Sequence, residues 1–453
     1  MVILIKVLQV LIALSALIII HEFGHFLFAR IFGVRVEKFY LFMDAGGFRL
    51  FSTKHNKLIR KYFPRLANAD TDFGIGWLPL GGYCKISGMV DESLDTAQLK
   101  GKPRQDEFRS KPAWQRLLIM SGGVLFNFIF AIILYISILA TWGEAYISNR
   151  DTQIYVNELS YDMGFRNGDR ILGIDGVYEE NFGMLQAELA RSNAEKVSVL
   201  RDGDTLDIYI DRSRISEILG TPGMFDVAVP FVIDSVSADS PNSGTGLLRG
   251  DHIVAIDGEA VEWLQDGRRV LAEHSNEAVD VLLLRPCGSA EQPADSICLT
   301  LQVDSLGRLG VFTRPIGFQT RDYGILEAIP AGFKLTFSTI GGYLKDLKLV
   351  ATPSTGAYKS VGSFISIGQV FPSSWNWYAF INILALLSIM LGVMNLIPIP
   401  GLDGGHIMFT IYEMITGRKP SDRFLIVAQI IGMVLLFGLM FLAFGNDISR
   451  LIR

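Results

Sequence analysis

Four apolar stretches constrain this chain more than any other feature of its sequence. They cover roughly 4–28, 115–140, 376–398 and 424–445, and each is long enough to cross a bilayer core about 30 Å thick. Half of the residues are hydrophobic and the mean hydropathy is +0.34, which is too apolar for an ordinary soluble enzyme. No small-x-small site follows the first stretch, so we interpret it as a permanent span rather than a cleaved signal peptide. The sequence therefore predicts a polytopic α-helical membrane protein with four transmembrane helices.

The charges between the spans predict the orientation of the chain. Residues 30–116 carry 16 Lys and Arg against 9 Asp and Glu, whereas residues 144–322 carry 15 against 30. Because basic residues near span ends favour the cytoplasmic side, we expect the first and third loops to be cytoplasmic and the long acidic loop to be exported. Both termini then lie outside, and the ends of spans 1 and 3 approach the cytoplasmic face at similar depth.

The first span ends in the sequence HEFGH at 21–25. On a helix, His21 and His25 lie one turn apart on the same face, and Glu22 is available as a general base. The third span is followed by NLIPIPGLDGG, in which two prolines break the helix just before Asp403. Two imidazoles and one carboxylate with an open fourth position form a catalytic zinc arrangement, so we predict that Asp403 meets the two histidines.

Two other functional classes compete with an enzyme. A zinc transporter would also place His and Asp within spans, but it needs a polar path, and spans 2 and 4 carry no ionisable side chain. A scaffold without catalytic activity would not require Glu22. Ionisable residues inside a span cost at least about 2.5 kcal/mol each and are functional by default, so the motif favours catalysis.

The exported loop contains an internal repeat. GFRNGDRILGIDG (164–176) and GLLRGDHIVAIDG (246–258) align without gaps at an offset of 82 residues. A period this long predicts tandem domains rather than a solenoid. The pattern resembles that of bacterial PDZ domains, which implies two α+β units that either bind peptides or exclude substrates with bulky exported portions. We favour exclusion.

HEFGH, NLIPIPGLDGG and the tandem repeat together resemble the site-2 proteases, a family of intramembrane zinc metalloproteases, and in particular the regulator of sigma-E protease (RseP) type of Gram-negative bacteria. GIGWLPLGGYCKISGM and DEFRSKPAWQRLLIMSGG extend the resemblance over nearly the whole chain. It implies one zinc ion, Glu22 as the general base, Asn395 in contact with the substrate near the scissile bond, and as metal ligands His21, His25 and Asp403.

The same resemblance implies a substrate class. It is a single-span membrane protein of the anti-sigma-factor type, already cut once on its exported side, whose cleavage triggers an envelope stress response; remnant signal peptides are further candidates. The implied location is the cell inner membrane, with the lipid bilayer as a partner and no nucleic acid. Two positions depart from the family pattern: a Gly-Pro pair usually precedes the Asn of span 2, where this chain has Gly123, and Phe364 replaces a common Pro.

The predicted organisation follows from these features. We expect, in chain order, transmembrane helix 1 with the zinc motif (1–33), a membrane-associated β-region on the cytoplasmic side (34–113), transmembrane helix 2 (114–143), PDZ domain 1 (144–222), PDZ domain 2 (223–318), an amphipathic linker (319–374), transmembrane helix 3 (375–399), the LDG-motif loop (400–422), and transmembrane helix 4 with the C-terminus (423–453).

Three further predictions lie outside the metal motif. Residues 74–86, rich in Gly and β-formers, are predicted to offer a strand edge to which an extended substrate pairs. Residues 326–350 have helical amphipathicity suited to the membrane surface or to packing on the catalytic core. Cys287 and Cys298 flank a short polar stretch of the exported loop, where a disulfide is predicted, whereas Cys84 is expected to stay reduced.

Overall fold

The computed structural model describes residues 2–79, 81–89, 103–221, 223–286 and 294–452. The chain forms two compact units, which are described separately. The helical unit comprises Met1–Glu144, Asp322–Lys348 and Lys359–Arg453, and the repeat unit comprises Ala145–Arg321 and Leu349–Tyr358.

Both units contain helices. In chain order the described α-helices are α1 (Val2–Ile31), α2 (Lys57–Tyr62), α3 (Pro64–Ala67), α4 (Ala113–Trp142), α5 (Glu158–Asp162), α6 (Leu185–Arg191), α7 (Ile215–Gly220), α8 (Leu264–Glu273), α9 (Ile325–Val350), α10 (Phe364–Val370), α11 (Trp377–Leu396), α12 (Asp403–Thr416) and α13 (Asp422–Ile452). Helices α5 to α8 belong to the repeat unit. Within the described part of the chain, α1, α4, α11 and residues Arg423–Ser449 of α13 are long and apolar enough to cross a membrane. This confirms the predicted polytopic helical architecture.

The described strands are β1 (Val36–Leu41), β2 (Arg49–Ser52), β3 (Asp72–Gly76), β4 (Tyr83–Ile86), β5 (Glu144–Tyr146), β6 (Ile154–Val156), β7 (Arg170–Ile174), β8 (Lys196–Arg201), β9 (Asp204–Tyr209), β10 (Phe225–Val227), β11 (Ile233–Val236), β12 (His252–Ile256), β13 (Glu259–Ala260), β14 (Ala278–Arg285), β15 (Asp295–Gln302), β16 (Val311–Thr313) and β17 (Gln319–Arg321). The first four belong to the helical unit and form the predicted β-region after α1.

Helix α4 lies at the centre of the helical unit, in contact with α1, α11 and α12. Against α1 the contact is backbone to backbone. A Cβ added to Gly122 would lie 2.5 Å from the carbonyl oxygen of Gly24, and a Cβ on Gly24 would collide with Gly122 in turn. Small residues of this kind let membrane helices approach closely. The close approach brings the histidine-bearing face of α1 against α4.

Prolines determine where α11 ends and α12 begins. Helix α11 stops at Leu396, and Pro398 and Pro400 follow in irregular backbone. A proline has no amide hydrogen to donate and its ring clashes with the preceding turn, so the helix cannot continue. The chain resumes helical structure at Asp403, the first residue of α12.

The sheet that follows α1 has the strand order β2-β3-β1-β4. Strand β3 runs parallel to β1 and also pairs with β2, whereas β4 runs antiparallel to β1, with Phe39 opposite Cys84. The prediction that residues 74–86 form a strand edge is therefore correct only for β4. Strand β3 lies inside the sheet because the parallel β1–β3 pairing occupies the side that would otherwise be open.

The repeat unit contains the same arrangement twice. Strands β7, β8 and β9 form one antiparallel sheet, and β12, β14 and β15 form another, in which the short β13 also pairs with β12. In the first, Arg201 donates hydrogen bonds to both carboxylate oxygens of the fully buried Asp169; in the second, Arg285 does the same to Asp251. Burial alone would raise the pKa of Asp251, but the hydrogen bonds from Arg285 and the Leu248 amide outweigh it and hold that pKa below its ordinary value.

Two remaining predictions concern α9 and the cysteines. Helix α9 covers the predicted amphipathic segment and packs through Leu335, Ile340 and Leu347 against a cluster on α4 and α11. Cys298 lies exposed on β15, whereas Cys287 lies outside the described residues, so the disulfide between them stays a prediction.

Candidate metal centre

Helix α1 places His21 and His25 on its buried face. The two residues are 8% and 6% exposed, and their Nε2 atoms lie 3.3 Å apart. The i, i+4 spacing stacks the two rings one turn apart, so both nitrogens point to the same place. Glu22, between them in sequence, is half-buried and lines the same cavity.

Asp403 reaches the histidines from the beginning of α12. Its Oδ2 atom lies 3.1 Å from Nε2 of His21 and 3.3 Å from Nε2 of His25. The three ligand atoms lie within 4.8 Å of one another, although the residues belong to opposite ends of the chain. The structure thus brings together the three residues that the sequence predicts as metal ligands.

The donor set fits a zinc ion. Oδ2 of Asp403 is buried and has no hydrogen bond of good geometry to any described residue. A buried carboxylate oxygen without a partner is costly, and a bound cation would satisfy it. Two histidine nitrogens and one carboxylate oxygen are ligands that zinc uses in catalytic sites, where a fourth position stays open for water.

Helix α4 supplies the atoms that contact the Nδ1 side of both histidine rings. The ring of His25 donates through Nδ1 to the carbonyl oxygen of Ile119, at 2.9 Å, and Nδ1 of His21 lies 3.0 Å from Nδ2 of Asn127. Gly123 faces both rings, since a Cβ placed on it would lie 2.5 Å from Nε2 of His25. Helix α4 therefore fixes how both rings are turned.

A cavity of about 550 Å³ opens beside these groups. Glu22 lines it together with Asn395, whose Nδ2 lies 3.4 Å from Nε2 of His21, and with strand β4. The polar groups of the site thus share one space with a sheet edge, and this space is large enough for several substrate residues.

An ion pair attaches α12 to α4. Nη2 of Arg116 lies 2.5 Å from Oε1 of Glu413, and the two side chains are only 9% and 18% exposed. Glu413 lies on the helix that begins with Asp403, so its pairing with Arg116 of α4 helps to set the position of that carboxylate.

The sequence analysis did not single out several residues around this site. They include Arg116 and Glu413, and two further residues that line the cavity, His406 and Gln429. Asn127 was mentioned only as the Asn of span 2 and was given no role. His406 follows Asp403 by three positions, and a polar side chain in or next to an apolar segment is itself a signal of function. The contacts that give these residues their partners join different helices and leave no local pattern.

Comparison with known proteins identifies the family of this chain. The model of peptidase family M50 matches residues 9–439. The chain is similar to the "Putative zinc metalloprotease" of Xylella fastidiosa strain Temecula1, with 30% identity over 97% of each chain. It is also similar to the "Regulator of sigma-E protease RseP" of Salmonella typhimurium and of Escherichia coli strain K12, with 30% and 29% identity over 97% of this chain and 98% of each relative. The resemblance inferred from the motifs is thereby confirmed, and the transporter and scaffold alternatives are set aside. The chain belongs to peptidase family M50 and is a zinc-dependent site-2 protease.

Proposed function

We propose that this protease hydrolyses a peptide bond within the transmembrane segment of a single-span protein, with His21, His25 and Asp403 as the zinc ligands and Glu22 as the general base. One observation carries the proposal: three ligand atoms from α1 and α12 converge within 4.8 Å, and Glu22 lines the same cavity. The donor set matches a catalytic rather than a structural zinc site, because only three protein ligands are present among the described residues.

Zinc, when bound, acidifies a water ligand and polarises the scissile carbonyl. Glu22 accepts the proton of the attacking water and delivers it to the leaving amine nitrogen, which is the role of the glutamate in this motif. Its place on α1, next to His21, would keep the carboxylate beside the metal without making it a ligand.

The substrate class follows from the membrane setting and from the relatives. The names of two relatives refer to regulation of sigma-E, which supports an anti-sigma factor already cut on its exported side as the substrate, with remnant signal peptides as further substrates. Cleavage would release the cytoplasmic fragment and start an envelope stress response. We place the enzyme in the inner membrane, with the repeat unit and both termini periplasmic and the zinc site near the cytoplasmic face, because the charge distribution favours this orientation.

Strand β4 is proposed to hold the substrate in an extended form. A transmembrane helix shields its peptide carbonyls through its own hydrogen bonds, so it must unwind before cleavage. Strand β4 pairs with β1 on one side only among the described strands, and it lines the cavity next to Glu22. An extended peptide added to this edge would lie across the site, where Asn395 contacts it near the scissile bond.

The repeat unit is proposed to contain two PDZ domains, at 144–222 and 223–318, that exclude substrates with bulky exported portions. Support comes from the duplicated sheets and from the matching pairs Arg201–Asp169 and Arg285–Asp251. Deleting 148–318 and joining the ends with a flexible linker should allow cleavage of an untrimmed substrate. If the shortened enzyme still cleaves only trimmed substrate, exclusion is not the role of this unit.

The test of the zinc-protease proposal compares wild type, Glu22→Gln and His21→Gln in purified full-length protein. Wild type and Glu22→Gln should each hold about one zinc ion per chain, and only wild type should cleave a single-span substrate. His21→Gln should lose the metal. Glu262→Gln, an exposed glutamate of the repeat unit, is the matched control and should behave as wild type. Cleavage by Glu22→Gln at the wild-type rate would reject Glu22 as the base.

The strand-edge proposal has its own test. The amide of Ser87 donates to Arg35, so by strand alternation the amide of Ile86 faces away from β1, towards the open edge. Ile86→Pro removes this donor from the edge of β4, whereas Leu50→Pro makes a proline change in β2, at the opposite edge of the sheet. Both variants should retain zinc, and only Ile86→Pro should lower cleavage. Equal cleavage by the two variants would show that the substrate does not pair with β4.

A further inference from the structure

Asn127 is a buried amide that the proposed chemistry does not yet use. It lies in the middle of α4, has no exposed surface, and places Nδ2 3.0 Å from Nδ1 of His21. Its Oδ1 atom is buried and has no hydrogen-bond partner among the described residues. A buried amide with an unpaired oxygen inside a membrane helix is costly, so a function is the expected reason for its presence.

The protonation of the two histidines determines what Asn127 can do. A carbonyl oxygen only accepts hydrogen bonds, so the contact of His25 with Ile119 requires a proton on Nδ1 and leaves the lone pair on Nε2 free. Nε2 of His21 points to the same place as Nε2 of His25, next to Oδ2 of Asp403. If Nε2 of His21 is to bind a metal, its Nδ1 atom must carry the proton and needs an acceptor.

The amide of Asn127 provides that acceptor when it is turned over. With Nδ2 facing Nδ1–H, two donors oppose each other at 3.0 Å. The oxygen and nitrogen of an amide have nearly the same shape, and their assignment follows from the hydrogen bonds they make. A half-turn of the amide replaces the opposed donors by a hydrogen bond from Nδ1–H to Oδ1. Oδ1 has no hydrogen-bond partner where it stands among the described residues, so the half-turn breaks no hydrogen bond there.

The backbone of Asn127 is held in place by a second contact. Ser388 of α11 donates through Oγ to the carbonyl oxygen of Asn127, at 2.8 Å. Ser388 is itself fully buried, and the same helix carries Asn395 at the cavity. The position of the amide relative to His21 is thus fixed by the packing of α4 against two other helices.

We propose that Asn127 is a positioning residue for the metal centre: its Oδ1 atom accepts a hydrogen bond from Nδ1 of His21 and holds the ring in the tautomer and orientation that direct Nε2 to zinc. This inference rests on the proposed assignment of His21 as a ligand. In this arrangement Asn127 accepts a hydrogen bond from Nδ1 of His21, as the carbonyl oxygen of Ile119 does from Nδ1 of His25. Because the acceptor at 127 is a side chain, mutation can remove it.

The test measures zinc affinity of the full-length protein by competition with a chromophoric chelator. Asn127→Leu keeps the shape of the side chain but removes the acceptor, and it should weaken zinc binding by about 10- to 100-fold, as outer partners of metal-bound histidines generally do. Asn127→Asp keeps an acceptor oxygen and should bind zinc within a few-fold of wild type. Asn382→Leu makes the same change at an amide of α11 that bonds only to the Tyr378 carbonyl among the described residues, and should leave zinc affinity unchanged.

The outcomes separate this inference from the proposed function. Weak zinc binding in Asn127→Leu with rescue in Asn127→Asp would support the positioning role, because a residue that only fills space would not be rescued by a carboxylate. Wild-type affinity in Asn127→Leu, or loss of zinc in Asn127→Asp, would overturn it. His21→Gln is measured alongside. If His21→Gln keeps zinc, the assignment of His21 as a ligand is wrong. If His21→Gln loses zinc while Asn127→Leu keeps full affinity, only the positioning role of Asn127 is rejected.

Discussion

Gly123→Ala should damage the metal centre, although it adds a single methyl group to a helix. The added Cβ would lie 2.5 Å from Nε2 of His25 and 2.6 Å from Cε1 of His21. Ordinary van der Waals contact begins near 3.4 Å, so at least one ring has to move by several tenths of an ångström. Bonds from zinc to its ligands tolerate deviations of only about 0.2 Å, so the displaced ring no longer fits the site.

The size of the effect follows from the packing around the rings. Overpacking a tightly packed interior costs about 1–3 kcal/mol, and release of the metal relieves that strain by freeing the rings to move. At about 1.4 kcal/mol per factor of ten, zinc affinity should fall by about 5- to 150-fold. Helix propensity acts in the opposite direction and favours alanine by at most about 1 kcal/mol, so it does not compensate.

The assay is a zinc competition titration together with cleavage of a trimmed single-span substrate. Gly438→Ala is the matched control, because it makes the same change in membrane helix α13 at a position where the added Cβ meets no described atom within 4 Å. It should leave zinc affinity and cleavage unchanged. Wild-type zinc affinity in Gly123→Ala would refute the reasoning, since the rings would then have room that the distances do not allow.

Two further predictions concern ion pairs. Arg116→Met leaves Glu413 nearly buried without its partner, so it should destabilise the helical unit by about 3 kcal/mol, measured by thermal unfolding in detergent. The double variant Arg116→Met/Glu413→Met should recover part of this loss. Equal stability of the single and double variants would contradict the pairing. In the repeat unit, folding lowers the pKa of Asp251, so its carboxylate stabilises the folded state. This contribution is fully present at pH values above the ordinary pKa of Asp, about 3.9, and is lost as the pH falls through the lowered pKa. The protection factors of the amides in residues 246–258, which are corrected for the intrinsic exchange rate at each pH, should therefore fall in acid. Arg285→Met should show lower protection factors already at neutral pH. Protection factors in Arg285→Met that match wild type at pH 7 would show that the pair does not stabilise the repeat.

The sequence predicted the parts of the site that depend on local rules. The spacing of His21 and His25 follows from the helical period, and the break before Asp403 follows from two prolines. The contacts of Asn127 with His21 and of Arg116 with Glu413 depend on which helices become neighbours, and no periodicity in the sequence encodes that. The α1–α4 contact requires the close approach of Gly24 to Gly122, and the α4–α12 contact joins segments almost 300 residues apart. The error in the sheet has a similar cause: the parallel partner of β3 is β1, which precedes it by about 35 residues, so the composition of 74–86 alone did not reveal that β3 is an inner strand.

The position of Asp403 gives the metal a mechanical role as well as a chemical one. His21 and His25 are near the beginning of the chain and Asp403 is about 380 residues further on, so in the proposed site a single ion closes one very long loop. Among the described residues no disulfide ties α12 to α1. Free energy of zinc binding then adds directly to the free energy of folding, and the two helices that carry the reacting groups are cross-linked only while the ion is present. A chelator should consequently loosen α12 as well as stop hydrolysis.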